Sequence, residues 1–294
     1  MVSEGVTGGL PVIDIRPPSG WISLNLAEMW RYRDLLYFLA WRDVKVKYKQ
    51  ALLGFAWAII VPFANMVILG TIFGKVAKLP SDGLNPYLFY LAGLVPWQYF
   101  ANSLTISSNS LVGQANLLTK VYLPRLFIPL SVCIADIVDF AVAFVVLVLL
   151  MLLMNIVPAA TILLVPLLVL ITFSTAFGVG LVLSALNVRY RDIRYVVPFL
   201  VQIWMYCSVL LPFSKIPHSW GIWRYLYGLN PMAGVIEANR WFLMRHEMFL
   251  DEMRTIPLPA PWGLLSVGVL TTTILLIFGL YYFKRMEAMF ADIV

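Results

Sequence analysis

Six stretches of this chain are apolar over roughly the thickness of a lipid bilayer, and that alone leaves few folds open to it. They run over Phe55–Gly74, Pro86–Ser107, Leu126–Met154, Thr161–Leu186, Val196–Pro212 and Trp262–Phe283. A helix needs about 20 mostly apolar residues to cross the hydrocarbon. The second stretch begins apolar (PYLFYLAGLVPWQYF) and then turns polar (ANSLTISSNS), and the fifth is short. With 61% hydrophobic and 12% charged residues, the excess of apolar surface cannot be hidden in a core of this size. The expected fold is an all-α membrane protein with six transmembrane helices.

Orientation follows from where lysine and arginine fall. Six spans put both ends of the chain on one side, together with Arg16, Arg31, Arg33, Arg42, Lys45, Lys47, Lys49, Lys120, Arg125, Arg189, Arg191, Arg194, Lys284 and Arg285. The other side holds Lys75, Lys78, Lys215, Arg224, Arg240, Arg245 and Arg254, five of them in one long loop with acids for company. The basic side is expected to be cytoplasmic, both termini included. The net charge of +6 bears on orientation and on anionic lipid or substrate, and is no evidence for nucleic acid.

Three pieces fall outside the spans. The start, residues 1–24, lacks the basic and apolar regions of a signal peptide and reads as a flexible tail. Residues 25–54 form an interface segment. In it NLAEMWRYRDLLYFLA reads as an amphipathic helix, capped by Asn25 with Glu28 three residues on, and with Leu26, Met29, Trp30, Leu36 and Leu39 on one face. RDVKVKYK follows directly, and its Arg42, Lys45, Lys47 and Lys49 are candidates for contact with anionic lipid or an anionic lipid-linked substrate. Residues 55–294 make the six-span domain. Its external segment 214–261 is too long for a plain loop and should carry short helices, one starting at Asn230-Pro231 and an aromatic one (SWGIWRYLYG) before it.

Signs of an enzyme are few. GTIFGKV, residues 70–76, has the wrong glycine spacing for a phosphate-binding loop and lacks Ser or Thr after Lys75. His218 and His246 show no metal-ligand spacing, Cys133 and Cys207 sit in apolar runs, and neither HExxH nor GxSxG occurs. Gly70-xxx-Gly74 could let the first span approach another helix closely. Asp136 and Asp139 are the only acids within the spans, three apart and so on neighbouring positions of one helix face. Ionisable groups at that depth are costly and ask for a role. A hydrogen-bonded contact between helices, pore lining, a proton relay and a metal-linked active site all remain open.

Four stretches together carry a resemblance: YRDLLYFLAWRDVKVKYKQALLGFAWAIIVP, ANLLTKVYLPRLFIPL, LNVRYRDIRYVVPFLVQIWMYCSVLLP and YGLNPMAGVIEANRW, at 32–62, 115–130, 186–212 and 227–241. In this order the chain resembles the membrane subunit of type II ATP-binding-cassette exporters, most of all the permeases that export O antigen, teichoic acid and capsule polysaccharide. The likeness covers nearly the whole chain, and VIDIRPPSGW near the start points to the O-antigen branch.

The resemblance implies a homodimer in the bacterial inner membrane with two separate cytoplasmic ATPase subunits. ATP and magnesium would be held by those partners, with no cofactor in this chain. It further implies movement of a polysaccharide carried on undecaprenyl diphosphate. Residues near 113–125 become a coupling element, with Asn116, Leu117, Lys120, Tyr122 and Arg125 as its candidates, and the external helices become a gate. Arg189, Arg191 and Arg194 would bear on the ATPase or on lipid phosphate, since the guanidinium fork pairs with carboxylate and phosphate. Asp192 could pair with one of them. Walls that pass a hydrated sugar polymer should mix hydroxyl or amide groups with aromatic rings. The second span offers Trp97, Tyr99, Phe100, Asn102 and Ser103, and the fifth Gln202, Trp204 and Tyr206. The rival readings are a type II exporter of a lipid, drug or other small hydrophobic substrate, a membrane enzyme acting on an isoprenoid diphosphate through Asp136 and Asp139, and a passive channel.

Overall fold

A computed structural model of the chain describes residues 26–49, 56–114, 123–210, 212–244 and 260–293. Every element among them is helical. We number them α1 (Leu26–Arg31), α2 (Arg33–Lys49), α3 (Trp57–Leu69), α4 (Pro86–Gly113), α5 (Phe127–Leu153), α6 (Val165–Arg189), α7 (Ile193–Val209), α8 (Pro231–Met244) and α9 (Trp262–Ile293). A π-helical turn, Gly70–Val76, extends α3, and a 3₁₀ turn, Ala160–Leu164, leads into α6.

Among the described residues, four helices are long and apolar enough to cross a membrane: Trp57–Val76, Phe127–Leu153, Ala160–Arg189 and Trp262–Glu287. The other two expected spans meet the criterion only in part. Helix α7 is apolar but 17 residues long, about 25 Å at 1.5 Å per residue. Helix α4 is long enough at 28 residues and carries the polar run Asn102–Ser110. Its position explains its composition. It packs on α3, α5, α6, α7 and α8, and most of its side chains are buried against protein. A helix walled in by other helices need not be apolar on the lipid's account, provided its polar groups find partners.

Asn85 starts α4 by accepting a hydrogen bond from the Tyr87 backbone N–H at 3.0 Å, with Pro86 in the first turn where no donor is needed. The two glycines of the GxxxG spacing pack within the subunit. A Cβ on Gly70 would lie 2.9 Å from Tyr87 Cε1, and one on Gly74 would lie 3.1 Å from Pro86 Cγ. They bring the end of α3 against the start of α4.

Residues 33–49 are one continuous helix, so the later part of the amphipathic stretch, from Arg33 on, and the basic run lie on a single element. Leu39 and Ala40 are buried; Met29, Leu35 and Leu36 pack against the cluster formed by Leu39, Phe127, Ile128, Leu181 and Phe283. Trp30 does not share that face: it is 71% exposed, as is Tyr37, with Phe38 and Trp41 also outward. The helix has one apolar face against the bundle and an aromatic one away from it. Asn25, the side chain of Glu28 and the first 24 residues lie outside the described ones.

The segment after α7 divides sharply. A 3₁₀ stretch, His218–Leu229, is kinked at Gly221 (φ 53°, ψ −127°) and exposes Trp220, Ile222, Trp223, Leu226 and Leu229. Helix α8, by contrast, is buried on every side, wedged among α4, α6, α7 and α9. At 14 residues it is too short to span, so it enters the bundle from one end without crossing it.

Candidate functional site

Polar residues gather in two buried seams and on two exposed faces. The first seam joins α2 to α4 and α5. Helix α2 runs in the same direction as α5, so that Asp43 meets Ser131 (Oγ donating at 2.9 Å) and Lys47, one turn on, meets Asp136. Lys47 Nζ donates to Asp136 Oδ1 at 2.9 Å and also pairs with Asp139 Oδ2. Ser103 of α4 donates to the other Asp136 oxygen at 3.0 Å. Asp136 sits nine residues into α5, roughly 13 Å from its start.

The two acids therefore bind α5 to its neighbours, and a lysine ammonium occupies the position a metal-linked active site would need for its cation. Burial alone pulls Lys47 toward losing its proton, but the two carboxylates outweigh it and hold its pKa above the ordinary value. Arg42 is likewise engaged, with Asp43 at 2.7 Å and with the Gln114 side-chain oxygen at 2.9 Å. Of the four cations of the basic run, Lys45 and Lys49 remain exposed and make no ion pair among the described residues, Lys45 with its ammonium 5.6 Å from the Trp41 ring. Two cavities flank Lys47. One of about 260 Å³ lies toward α3, lined by Gln98, Asn102 and Asp139 among others. One of about 520 Å³ lies on the other side, lined by Arg42, Gln114 and Asp136.

The second seam is at the opposite end, around α8. Arg240 is fully buried; it donates to the carbonyls of Phe89 (3.2 Å) and Val209 (2.7 Å), stands 3.6 Å above the Phe89 ring and pairs with Glu237 at 3.4 Å. Glu237 accepts the Phe213 backbone N–H at 3.1 Å. Burial pushes the Glu237 carboxyl up to about 7 against the pull of Arg240. Ser214 donates to Asp82 at 2.5 Å, and Asn239 to the Ala92 carbonyl at 2.7 Å. These bonds hold the turn after α7 and the start of α4 onto one short helix.

The residues expected to line a conduit divide between interior and surface. Trp97, Tyr99, Phe100 and Ser103 lie inside the subunit. Trp97 and Phe100 form an aromatic cluster with Trp204 of α7, with ring centroids 4.9–6.3 Å apart. The indole of Trp204 donates to Asn230 at 2.7 Å, and the Tyr99 hydroxyl to the Cys133 carbonyl at 3.1 Å. Asn102 is half-buried and accepts from Gln98 at 2.9 Å. Gln202 and Tyr206 face outward from α7, hydrogen-bonded to each other at 3.1 Å.

Arg189, Arg191 and Arg194 are exposed where α6 turns into α7. Arg189 lies over Tyr190 and Arg194 over Tyr195, which also accepts its hydrogen bond at 2.8 Å. Among the described residues no ion pair joins Asp192 to them. Arg125 donates to the Glu287 carbonyl, tying the approach to α5 onto α9 at the same end. Asn116, Leu117, Lys120 and Tyr122 fall outside the described residues.

Gln98, Asp43, Asp82 and the Glu237–Arg240 pair were not singled out from the sequence. Two signals were present: Asp43 and Lys47 stand four apart on one helix, Glu237 and Arg240 three apart, the spacings at which side chains meet.

Residues 34–244 match the family model described as ABC-2 type transporter. Among curated proteins, the chain is 29% identical over 262 residues to an O-antigen export system permease protein RfbA of Klebsiella pneumoniae, covering 88% of this chain and 95% of that one. A protein of the same name from Myxococcus xanthus is 27% identical over 222 residues, 75% of this chain and 84% of the relative. The polysialic acid transport protein KpsM of Escherichia coli is 25% identical over 209 residues, 69% and 78% of the two chains.

Proposed function

Because this chain belongs to the ABC-2 type transporter family, a family of multi-pass membrane permeases that work with ATP-binding-cassette ATPases, we propose that it exports a lipid-linked polysaccharide such as O antigen. The observation that carries the reading is the likeness, over 88% of the chain, to permeases named for O-antigen export. Its substrate would be carried on undecaprenyl diphosphate and leave the cytoplasm through the bacterial inner membrane. ATP and magnesium would be bound by two partner ATPase subunits.

Several physical features support the assignment of parts. The end that gathers Arg42, Arg125, Arg189, Arg191, Arg194 and Lys284 faces the cytoplasm by the charge bias of membrane proteins. The exposed guanidinium groups there can meet carboxylates of an ATPase, with Asn116, Leu117, Lys120, Tyr122 and Arg125 in the adjoining connection. Lys45 and Lys49, which meet no carboxylate among the described residues, are left to meet lipid phosphate, while Arg42 and Lys47 are engaged inside the protein.

The exposed face of α7 suits a second copy. Gln202 lies nine residues into the helix, and an amide open to hydrocarbon at that depth is costly. Its one side-chain partner among the described residues, the Tyr206 hydroxyl, leaves amide groups still to be satisfied. A conduit between two copies would give this face both water and a partner, with Gln202 and Tyr206 on its wall and Trp97, Phe100 and Trp204 behind them.

The test is deletion of the chain in its own host, followed by complementation. Surface polysaccharide should vanish, lipid-linked polymer should accumulate inside, and the full chain should reverse both. Unchanged surface polymer in the deletion strain would overturn the reading. Cys207 is exposed on α7 while Cys133 is buried, so oxidative cross-linking in membranes tests the second copy without added cysteines. Absence of a Cys207-dependent dimer, with distance-matched cross-linkers included, would count against that interface.

A further inference from the structure

The cavity of about 260 Å³ beside Lys47 lies between α2, α3, α4 and α5, and no role described so far uses it. Its two halves differ. Lys47, Gln98, Asn102 and Asp139 give it a polar side, while Val61, Pro62, Val95 and Ala143 make the remainder apolar, with Trp57, Tyr99 and Phe140 contributing aromatic rings. Its volume is a little under the ~300 Å³ of the smallest drug-sized pockets, which suits a ligand of about one ring.

Charge selects among the small polar groups that could enter. Lys47 is the one cation among the described lining residues, and it already faces Asp136 and Asp139. The local sum is one positive and two negative charges, so a phosphate or diphosphate would meet net repulsion. A neutral polyol meets none. The Gln98 and Asn102 amides spend only one donor and one acceptor on each other, and an amide side chain carries two N–H donors and a carbonyl with two lone pairs. One oxygen of Asp139, Oδ1, is buried with no hydrogen-bond partner among the described residues and can accept from a hydroxyl. Flat aromatic walls match the C–H faces of a pyranose. An alkylammonium group would also satisfy Asp139, but would leave both amides and the rings without a match.

We propose that this cavity is a binding site for a single neutral sugar ring. The ring's hydroxyls would meet Gln98, Asn102 and Asp139, and its C–H faces would lie against Trp57, Tyr99 and Phe140. This deepens the transport reading and rests on it for the ligand class: the occupant would be a neutral sugar of the polymer, away from the diphosphate that joins the polymer to its lipid.

The test uses the full chain in nanodiscs and an alkyl hexoside carrying a photoreactive diazirine on the sugar. Cross-links should map to the segments around Trp57–Pro62 and Gln98–Asn102. Excess plain alkyl hexoside should displace them at least fivefold, and equal alkyl phosphate or alkylammonium should leave them in place. Gln98→Leu with Asn102→Leu should lower labelling at least fivefold. Ala58→Phe, which fills the cavity from its apolar side and leaves the polar groups alone, should do the same, so a folding defect in one variant does not decide the result. Displacement by alkylammonium or alkyl phosphate as effective as by the hexoside overturns the proposal, as does labelling unchanged in the Ala58→Phe protein. The readout needs no transport. Polymer export intact with no labelling removes this site and leaves the transport reading; labelling intact with no role in export does the reverse.

Discussion

Replacing Lys47 by methionine keeps most of its length and removes its charge, leaving Asp136 and Asp139 without a cation. Asp136 is nearly inaccessible, with 3% of its side chain exposed, and retains only the Ser103 hydroxyl; Asp139 is 14% exposed. At 2.9 Å and an effective dielectric of about 20, the Lys47–Asp136 attraction is roughly 6 kcal/mol before desolvation. Breaking a buried pair by removing one partner costs about 3–5 kcal/mol, while exposed pairs are worth about 0–1. Because 35% of the Lys47 side chain reaches solvent, we expect a value between these, about 2–3 kcal/mol.

The assay can use the protein's own thiols. Cys133 is buried beside this seam, its carbonyl accepting from Tyr99, and Cys207 is exposed. In a Cys207→Ser background, labelling of Cys133 by a thiol-reactive dye on heating reports opening of the α4–α5 interface. Lys47→Met should open at a clearly lower temperature than the parent. Lys47→Met with Asp136→Asn and Asp139→Asn, which removes the stranded charges as well, should recover most of the loss. If Lys47→Met opens within error of the parent, or the triple variant fares no better than the single, the ion pairs do not hold α2 to α5.

Three other outcomes are expected. A Cβ on Gly279 would crowd the Gly178 peptide, 2.9 Å from its carbonyl carbon, so Gly279→Ala should destabilise by about 1–3 kcal/mol, whereas Gly113→Ala, with nothing within 4 Å, should be neutral or slightly stabilising by the same thermal assay. The carboxyl of Glu237, raised to about 7, binds its proton more readily folded than unfolded; its contribution is present at low pH and lost as pH rises through about 7, so thermal stability should fall between pH 5 and 8, and Glu237→Gln should flatten that slope. Arg189→Glu with Arg191→Glu should reduce co-purification of the partner ATPase at least tenfold while membrane insertion is unchanged, and wild-type stoichiometry would contradict the docking assigned to this turn.

Helix positions were legible where the chemistry of the solvent alone dictates them. The starts of α4, α5 and α9 fall within one residue of the apolar limits, and Asn85 and Pro86 mark the start of α4 openly. That RDVKVKYK continues the helix of the stretch before it was not legible from composition, which changes there while the helix does not. The basic residues continue the same helix because Asp43 and Lys47 need that periodicity to reach Ser131, Asp136 and Asp139 together. The aromatic residues of the second span were legible as a group, but their burial was not. Whether Trp97 faces a conduit or a neighbouring indole depends on where α7 lies.

From its residues alone the chain was bound to become a helical membrane protein with one basic end, because apolar run length and lysine–arginine placement answer to lipid and membrane potential rather than to any particular packing. Only the tertiary arrangement could show that the two intramembrane aspartates belong to Lys47, or that the least apolar long helix is the central one. It also put α8, a helix too short to span, inside the bundle with its own buried ion pair. Partners for buried charges come from distant parts of the chain, 89 residues apart for Lys47 and Asp136, and no local periodicity encodes which of several candidates will be brought within 3 Å.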